Sequence, residues 1–187
     1  MSQTSLSKRS NVTRQDRSID DDAWITAFLQ QAPMATIATT LGEQPFLSTL
    51  LFALDEPHHA IYFHTARRGR VWENLRQKAP ICLTATEMGR LLPADTALNF
   101  SVEYQSVVVF GDAYQVDDPI ESRNALQMIL DKYFAHLQSG RDYRPITDEE
   151  LSKTAVYRLD IEEWSGKRKA VQADYPGAFT WTTRNTG

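Results

Sequence analysis

Residues 99–116, NFSVEYQSVVVFGDAYQV, constrain the fold of this chain more than any other stretch. Valine, tyrosine and phenylalanine fit a pleated, half-buried surface, so the run reads as one long strand. Gly111 inside it marks a bulge or bend where a curved sheet turns a corner. Long bent strands suit barrels, and closing a sheet removes the edges on which other chains would pair.

The rest of the chain supplies partners for that strand. Alternating or continuous apolar segments at 34–40, 45–55, 60–64, 81–87 and 156–161 read as five more strands. Leu41-Gly42-Glu43-Gln44 is a hairpin loop, Asp55-Glu56-Pro57-His58 is a turn, and 88–96 is a loop. Helical spacing places Trp24, Ile25, Phe28 and Leu29 on one face of a helix opened by the carboxylates of Asp20, Asp21 and Asp22 and ended by Pro33. A short helical segment spans 70–78 before Pro80, and a longer one spans 119–137. Thr147 and Glu150 have the spacing of a capping box. Six antiparallel strands with helices set between them predict an α+β barrel.

At 187 residues the chain has room for one domain with a sizeable core. We read a mobile N-terminal arm at 1–18, a folded domain at 19–172 and a C-terminal tail at 173–187 whose structure is left open. A net charge of −4 argues against a general nucleic-acid binder, which needs a broad basic surface. No apolar stretch approaches the ~20 residues that span a bilayer, and the N-terminus lacks a signal core, so a soluble, cytoplasmic protein with no membrane partner is expected. Cys82 is the only cysteine and is expected as a buried strand thiol. Without paired histidines or further cysteines no metal site is expected. A GxSxG elbow is missing too, which leaves a serine hydrolase without support.

Three segments carry ligand-binding chemistry. In 60–76, AIYFHTARRGRVWENLR, a strand runs into His64 and Thr65, then Arg67, Arg68, Gly69 and Arg70 ahead of a helix-like segment. Guanidinium groups bind phosphate through charge-assisted bonds, and Gly69 lets the backbone approach a ligand closely. Leu47, Ser48, Thr49 and Leu50 place small hydroxyls in an apolar strand, where a flat polar ring could exchange hydrogen bonds with backbone and hydroxyls. Gly166-Lys167-Arg168-Lys169 behind Trp164 reads as a basic turn beside an indole able to cover an aromatic cofactor.

The runs IYFHTARRGR at 61–70, GRLLPADTALNFSVEYQSVVVFG at 89–111, RPITDEELSKTAVYRLDIEEWSGK at 144–167 and DDAWI at 21–25 resemble the flavin-binding split-barrel superfamily related to pyridoxamine 5′-phosphate oxidase, and within it the nitroimidazole-resistance (Nim-type) reductases. The resemblance implies a six-stranded antiparallel split β-barrel with peripheral helices, and a homodimer holding FMN at the subunit interface. One protomer would supply Leu47–Leu50, His64, Thr65 and Arg67–Arg70. Its partner would supply Tyr104, Ser106, Trp164 and Lys167, and the additional charge of Arg168 is counted with these. The apolar run 107–110 would be covered by the dimer. His64 would be the catalytic residue beside the flavin, and hydride transfer from reduced flavin would reduce a nitroaromatic or related small acceptor. The long C-terminal arginine signature of pyridoxamine phosphate oxidases is missing, so vitamin B6 oxidation is not expected. Two other readings remain: a flavin-binding or sensing protein without turnover, and a haem-binding split barrel using His64.

Overall fold

The structure is a computed structural model and describes residues 9–182. Eight strands form one antiparallel sheet: β1 (Ser18–Ile19), β2 (Ala35–Leu41), β3 (Gln44–Leu50), β4 (Phe52–Asp55), β5 (Ala60–Ala66), β6 (Ala79–Leu92), β7 (Ser101–Gln115) and β8 (Thr154–Lys169). The hydrogen-bonded path runs β3-β2-β6-β7-β8-β5-β4, with β1 added to β8. Its two ends, β3 and β4, are consecutive in sequence and separated only by Leu51, so the sheet curls into a split barrel. Six expected strands become eight because the segment 45–55 breaks at Leu51 and because β1 pairs through Ser18 with Lys167 and Ile19 with Gly166.

Helix α1 (Asp22–Gln31) starts where the aspartates place it: the Asp21 carboxylate accepts from the backbone N–H groups of Ala23 and Trp24. Ile25, Phe28 and Leu29 are buried, and Trp24 stacks on Phe28 at 5.4 Å. They join Ile37, Phe63, Leu83, Val107, Val109, Tyr157 and Leu159 in the barrel core. Helix α2 (Arg70–Asn74) inserts Val71 and Leu75, its C-terminal cap, into the same core. Helix α3 (Pro119–Tyr133) is shorter than expected and covers the outer side of β5 and β8, where Ala125 packs with Tyr62, Val116 and Val156. Helix α4 (Asp148–Lys153) opens on the expected capping box, with reciprocal bonds between Thr147 and Glu150.

Gly111 sits at the expected irregularity. Phe110 pairs with Glu163 and Gly111 with Ile161, which leaves Glu162 as the extra residue of a bulge. Three expectations change. β7 is hydrogen-bonded on both sides, to β6 and β8, so the 107–110 run is not an open edge: Val107 and Val109 are buried in the protomer's own core, and Val108 and Phe110 lie half-exposed on the outer face. The segment 88–92 belongs to β6, not to a loop. The basic segment 166–169 is strand, since β8 runs on to Lys169, paired to Tyr104.

The described part of the expected mobile arm, 9–18, lies against the barrel. Arg9 bonds Glu162 and Glu163, Arg9 also covers the Phe110 ring, and Val12 is buried. Residues 1–8 of that arm lie outside the described residues. Most of the tail is described. Arg90 is held by the Glu103 carboxylate at 2.7 and 2.9 Å and also donates to the carbonyls of Gln172 and Ala173, while Leu91 and Phe179 exchange backbone bonds. No helix among the described residues is long and apolar enough to cross a membrane.

Candidate functional site

Strand alternation decides which candidate residues share a face. Phe63 lies in the core, so His64 faces outward and Thr65 inward; on β3 Leu50 packs inward, leaving Leu47 and Thr49 on the outer face. Leu47 is 65% exposed and bonds no strand on its far side, because β3 pairs only with β2. The Thr49 hydroxyl is bonded to that of Thr36 at 3.0 Å. Beyond Phe52, the partner of Phe63, β4 no longer covers β5, so His64, Thr65 and Ala66 keep one free edge. His64 is exposed, and its ring is hydrogen-bonded to nothing among the described residues. The protein around it still withholds enough solvent to lower the imidazole pKa below its usual value.

Arg67, Arg68 and Arg70 follow on a loop whose pivot is Gly69, at φ +95°, with no atom within 4 Å of where a Cβ would stand. That backbone conformation and that open space suit close approach of a ligand. Arg9, Arg90, Arg123 and Arg158 each have a carboxylate partner, whereas Arg76 and Arg168 have none among the described residues. Among the described residues, Arg67, Arg68 and Arg70 have none. Arg70 lies 5.8 Å from the Phe46 ring, which ties the loop to β3. The buried Asn74 side chain donates to Thr39 Oγ1 at 2.8 Å, and Thr39 in turn donates to Phe46 O, fixing the end of α2 against the same pair of strands. Arg70 and Asn74 thus tie the loop to β3 at Phe46 and Thr39, on the face of Ser48 and Leu50, whereas Leu47 and Thr49 of β3 and His64 of β5 take the outer face and Thr65 turns inward. The charge comes from side chains, since α2 is a five-residue helix.

A second group lies at the far end of β8. Ser106 pairs with Lys167 and Tyr104 with Lys169, on the outer face; Gln105 pairs with Arg168 on the opposite face. Tyr104 accepts from Arg17 at 3.4 Å, a contact with the N-terminal segment that no sequence pattern announced. Trp164 faces the core side: it donates to Asp22 at 2.7 Å, meets His59 edge-on at 4.6 Å, and helps line a cavity of about 520 Å³ with Ile19, Asp20 and Val12. The structure thus brings Tyr104, Ser106 and Lys167 together and sets Trp164 and Arg168 apart from them. Cys82 is half-buried on β6, and burial raises its thiol pKa.

One buried group stands out beneath the arginine loop. Tyr157 is wholly buried and stacks on Phe63 at 5.2 Å, and within the hydrogen-bond limits its hydroxyl meets no partner among the described residues.

Residues 21–168 match the family model described as pyridoxamine 5′-phosphate oxidase. The chain belongs to this family. Members of the wider fold with solved structures include the flavocytochrome Anf3 from Azotobacter vinelandii, 26% identical with a TM-score of 0.75 over 88% of this chain and 75% of that one. A putative 5-nitroimidazole antibiotic resistance protein from Bacteroides thetaiotaomicron is 20% identical, with a TM-score of 0.66 over 81% of this chain and 86% of that one. The FAD and heme binding protein from Mycobacterium smegmatis is 21% identical, with a TM-score of 0.72 over 83% and 74%. At these identities the latter two share the fold with this family member. No curated protein matches the chain.

Proposed function

We propose that this protein binds a flavin, FMN, and uses it to reduce small electron-poor acceptors of the nitroaromatic class. The observation that carries the reading is the trio of arginines around Gly69 that lack a carboxylate partner among the described residues, on a loop that follows directly on His64 and is tied to β3 through Phe46. A phosphate bound there gains charge-assisted bonds without first breaking ion pairs. The β3 edge offers backbone groups to the polar rim of a flat ring, and exposed Leu47 offers it an apolar contact. Bound flavin would supply the hydride chemistry, which belongs to the cofactor. His64, kept neutral at pH 7, presents a ring N–H that can polarise an oxygen of the acceptor.

We propose further that two copies share each cofactor. From Ala155, which pairs with Thr65, to Lys167, which pairs with Ser106, β8 advances twelve residues, roughly 40 Å of strand at about 3.3 Å per residue. Along the strand the two groups of candidate residues thus lie at opposite ends of β8, and a second chain can bring its Tyr104, Ser106 and Lys167 to the first chain's arginine loop. Trp164 and Arg168 enter this proposal as neighbours of that set, on the reverse face.

The purified protein should be yellow and dimeric, and heat should release FMN identifiable by mass spectrometry. Under anaerobic conditions a 5-nitroimidazole should reoxidise the reduced protein faster than it reoxidises free flavin. A colourless protein that binds neither FMN nor FAD defeats the reading. Equal reoxidation rates defeat the substrate class.

A second reading, haem binding, is favoured by the exposed and uncommitted His64 imidazole and by the 26% identity to a flavocytochrome. It requires a Soret band that His64→Ala abolishes. A flavin spectrum alone, after growth with a haem precursor, rejects it.

A further inference from the structure

We infer that the acceptor this protein reduces is an aromatic acid, its carboxylate held by Arg17 beside the Tyr104 ring. The inference rests on the flavin reading above and deepens it, because it names the charge of the acceptor and adds to the site a residue of the N-terminal segment.

Arg17 reaches the outer face of the sheet from beyond its edge. Ser18, the next residue, pairs with Lys167 on β8, and Lys167 pairs with Ser106 on β7, so three strands stand side by side with Lys167 in the middle. The Arg17 guanidinium meets the Tyr104 hydroxyl at 3.4 Å, its carbon 5.9 Å from the ring centre. Alternation puts Tyr104, Ser106 and Lys167 on the outer face, so guanidinium, ammonium and phenol gather over one short stretch of β7 and β8.

Neither cation is fully neutralised. Arg17 lies 3.7 Å from Asp16, whose two carboxylate oxygens are already gripped by Arg14 at 2.7 and 2.8 Å. The Lys167 ammonium has no hydrogen-bond or ion-pair partner among the described residues. Glu87 and Glu103 lie on the reverse face, taken up by Gln105 and Arg90, and Glu163 on the outer face of β8 is bonded to Ser10 and Arg9. Lys169, opposite Tyr104, turns its ammonium to the Ser101 hydroxyl and stays outside the group.

Two cations beside an aromatic ring match a flat ligand that carries a negative charge. A carboxylate gains a charge-assisted bond from Arg17 without displacing a strong ion pair, and Lys167 adds to the same positive field. In the reading above the flavin phosphate takes the arginine loop of one copy. That leaves the free guanidinium of Arg17, brought by the other copy, for the acceptor.

The test uses 4-nitrobenzoate and its neutral counterpart 4-nitrobenzamide. Each turnover places two electrons and two protons on the nitro group and breaks one N–O bond, leaving a nitroso group and water while the flavin is oxidised. Holoprotein reduced with stoichiometric dithionite is reoxidised anaerobically by either acceptor. Each rate is divided by that acceptor's rate with free reduced riboflavin, which cancels the difference in ring chemistry. The normalised ratio should favour the benzoate by about tenfold or more, the effect of a charge-assisted bond, and should shrink as salt rises. Arg17→Gln should bring the ratio toward one through a higher half-saturating concentration and not a slower limiting rate. Arg17→Lys should keep part of the preference and Arg17→Glu should reverse it, with FMN affinity held in all three. A ratio of one or below in the intact protein, or an unchanged ratio in Arg17→Gln, would overturn the inference. So would a fall in FMN affinity, which would assign Arg17 to the cofactor's phosphate. An intact protein that binds no flavin, or that reduces neither acceptor faster than free riboflavin does, overturns the parent reading instead.

Discussion

Replacing Gly111 by alanine tests whether the bulge on β8 is built around the absence of a side chain. A Cβ at this position would stand 1.9 Å from Asp160 O, 2.9 Å from Asp160 C and 3.0 Å from Leu159 Cδ1. Carbon–oxygen contacts between strands settle at about 3.3 Å or more, so the β7–β8 ladder would have to part by about 1.4 Å. The obstacle is backbone, and it cannot rotate aside as a side chain can. Overpacking of this kind costs about 1–3 kcal/mol, and one or two stretched ladder bonds add about 1 kcal/mol each. The sum, roughly 2–5 kcal/mol, is a large share of the 5–15 kcal/mol that holds an ordinary domain together. At about 2–4 °C per kcal/mol, the thermal midpoint should fall by roughly 4–20 °C. Urea unfolding followed by circular dichroism measures this directly. Gly42→Ala is the control, since Gly42 has φ +59° but nothing within 4 Å, and strain alone costs about 1–2 kcal/mol. A Gly111→Ala midpoint equal to that of Gly42→Ala would refute the steric argument.

Other outcomes follow from the same structure. Arg68→Ala or Arg70→Ala should weaken FMN by about 1.5–3 kcal/mol per lost charge-assisted bond, some ten- to hundredfold, and unchanged titrations in both variants would displace the seat. The Arg90 guanidinium, with help from the Val171 N–H, holds Glu103 at about 2. The stability this contributes is fully present above the unfolded value near 4.5 and is lost as the pH falls toward 2; Glu103→Gln should flatten that part of the curve and expose the chain near Tyr175 to protease. Burial pushes Lys132 down to about 8, with its amine 3.6 Å from the centre of the Phe52 ring. The unfolded chain then holds the extra proton between about pH 8 and 10.5, so stability should rise with pH across that window, and Lys132→Met should remove the rise.

The parts of the fold that were legible in the sequence are those governed by local chemistry. Asp21 caps α1 because a carboxylate there satisfies two orphan N–H groups, and Thr147 with Glu150 is a reciprocal pair readable at any site. Gly111 was readable because a glycine inside a strand needs a reason. Lengths set by partners were not readable. Pro80 looks like a stop, yet it sits inside β6 opposite Asp112, at a point where only β7 pairs and before β2 joins at Cys82, an edge position of the kind that tolerates proline. β8 runs past Ile161 because β7 pairs with it as far as Lys169, and the arm adds Arg9 and Ser10 to the carboxylates of Glu162 and Glu163, long-range contacts that no window of sequence contains. The same limit applies to the site. The arginine cluster and its glycine were visible, whereas the lone hydroxyl of Tyr157 beneath them looks like one more aromatic in a strand.

Leu51 has a mechanical consequence. The barrel wall is a ring fastened at that point by covalent chain and not by a ladder, since β3 and β4 do not pair across it. The wall can breathe there without giving up a single strand-to-strand bond, and this compliant seam borders Leu47, Ser48, Thr49 and Leu50. Amide exchange along the unpaired side of β3 should accordingly be quick while that of β7, gripped from both flanks, is slow. A flat guest would meet the one stretch of wall that yields.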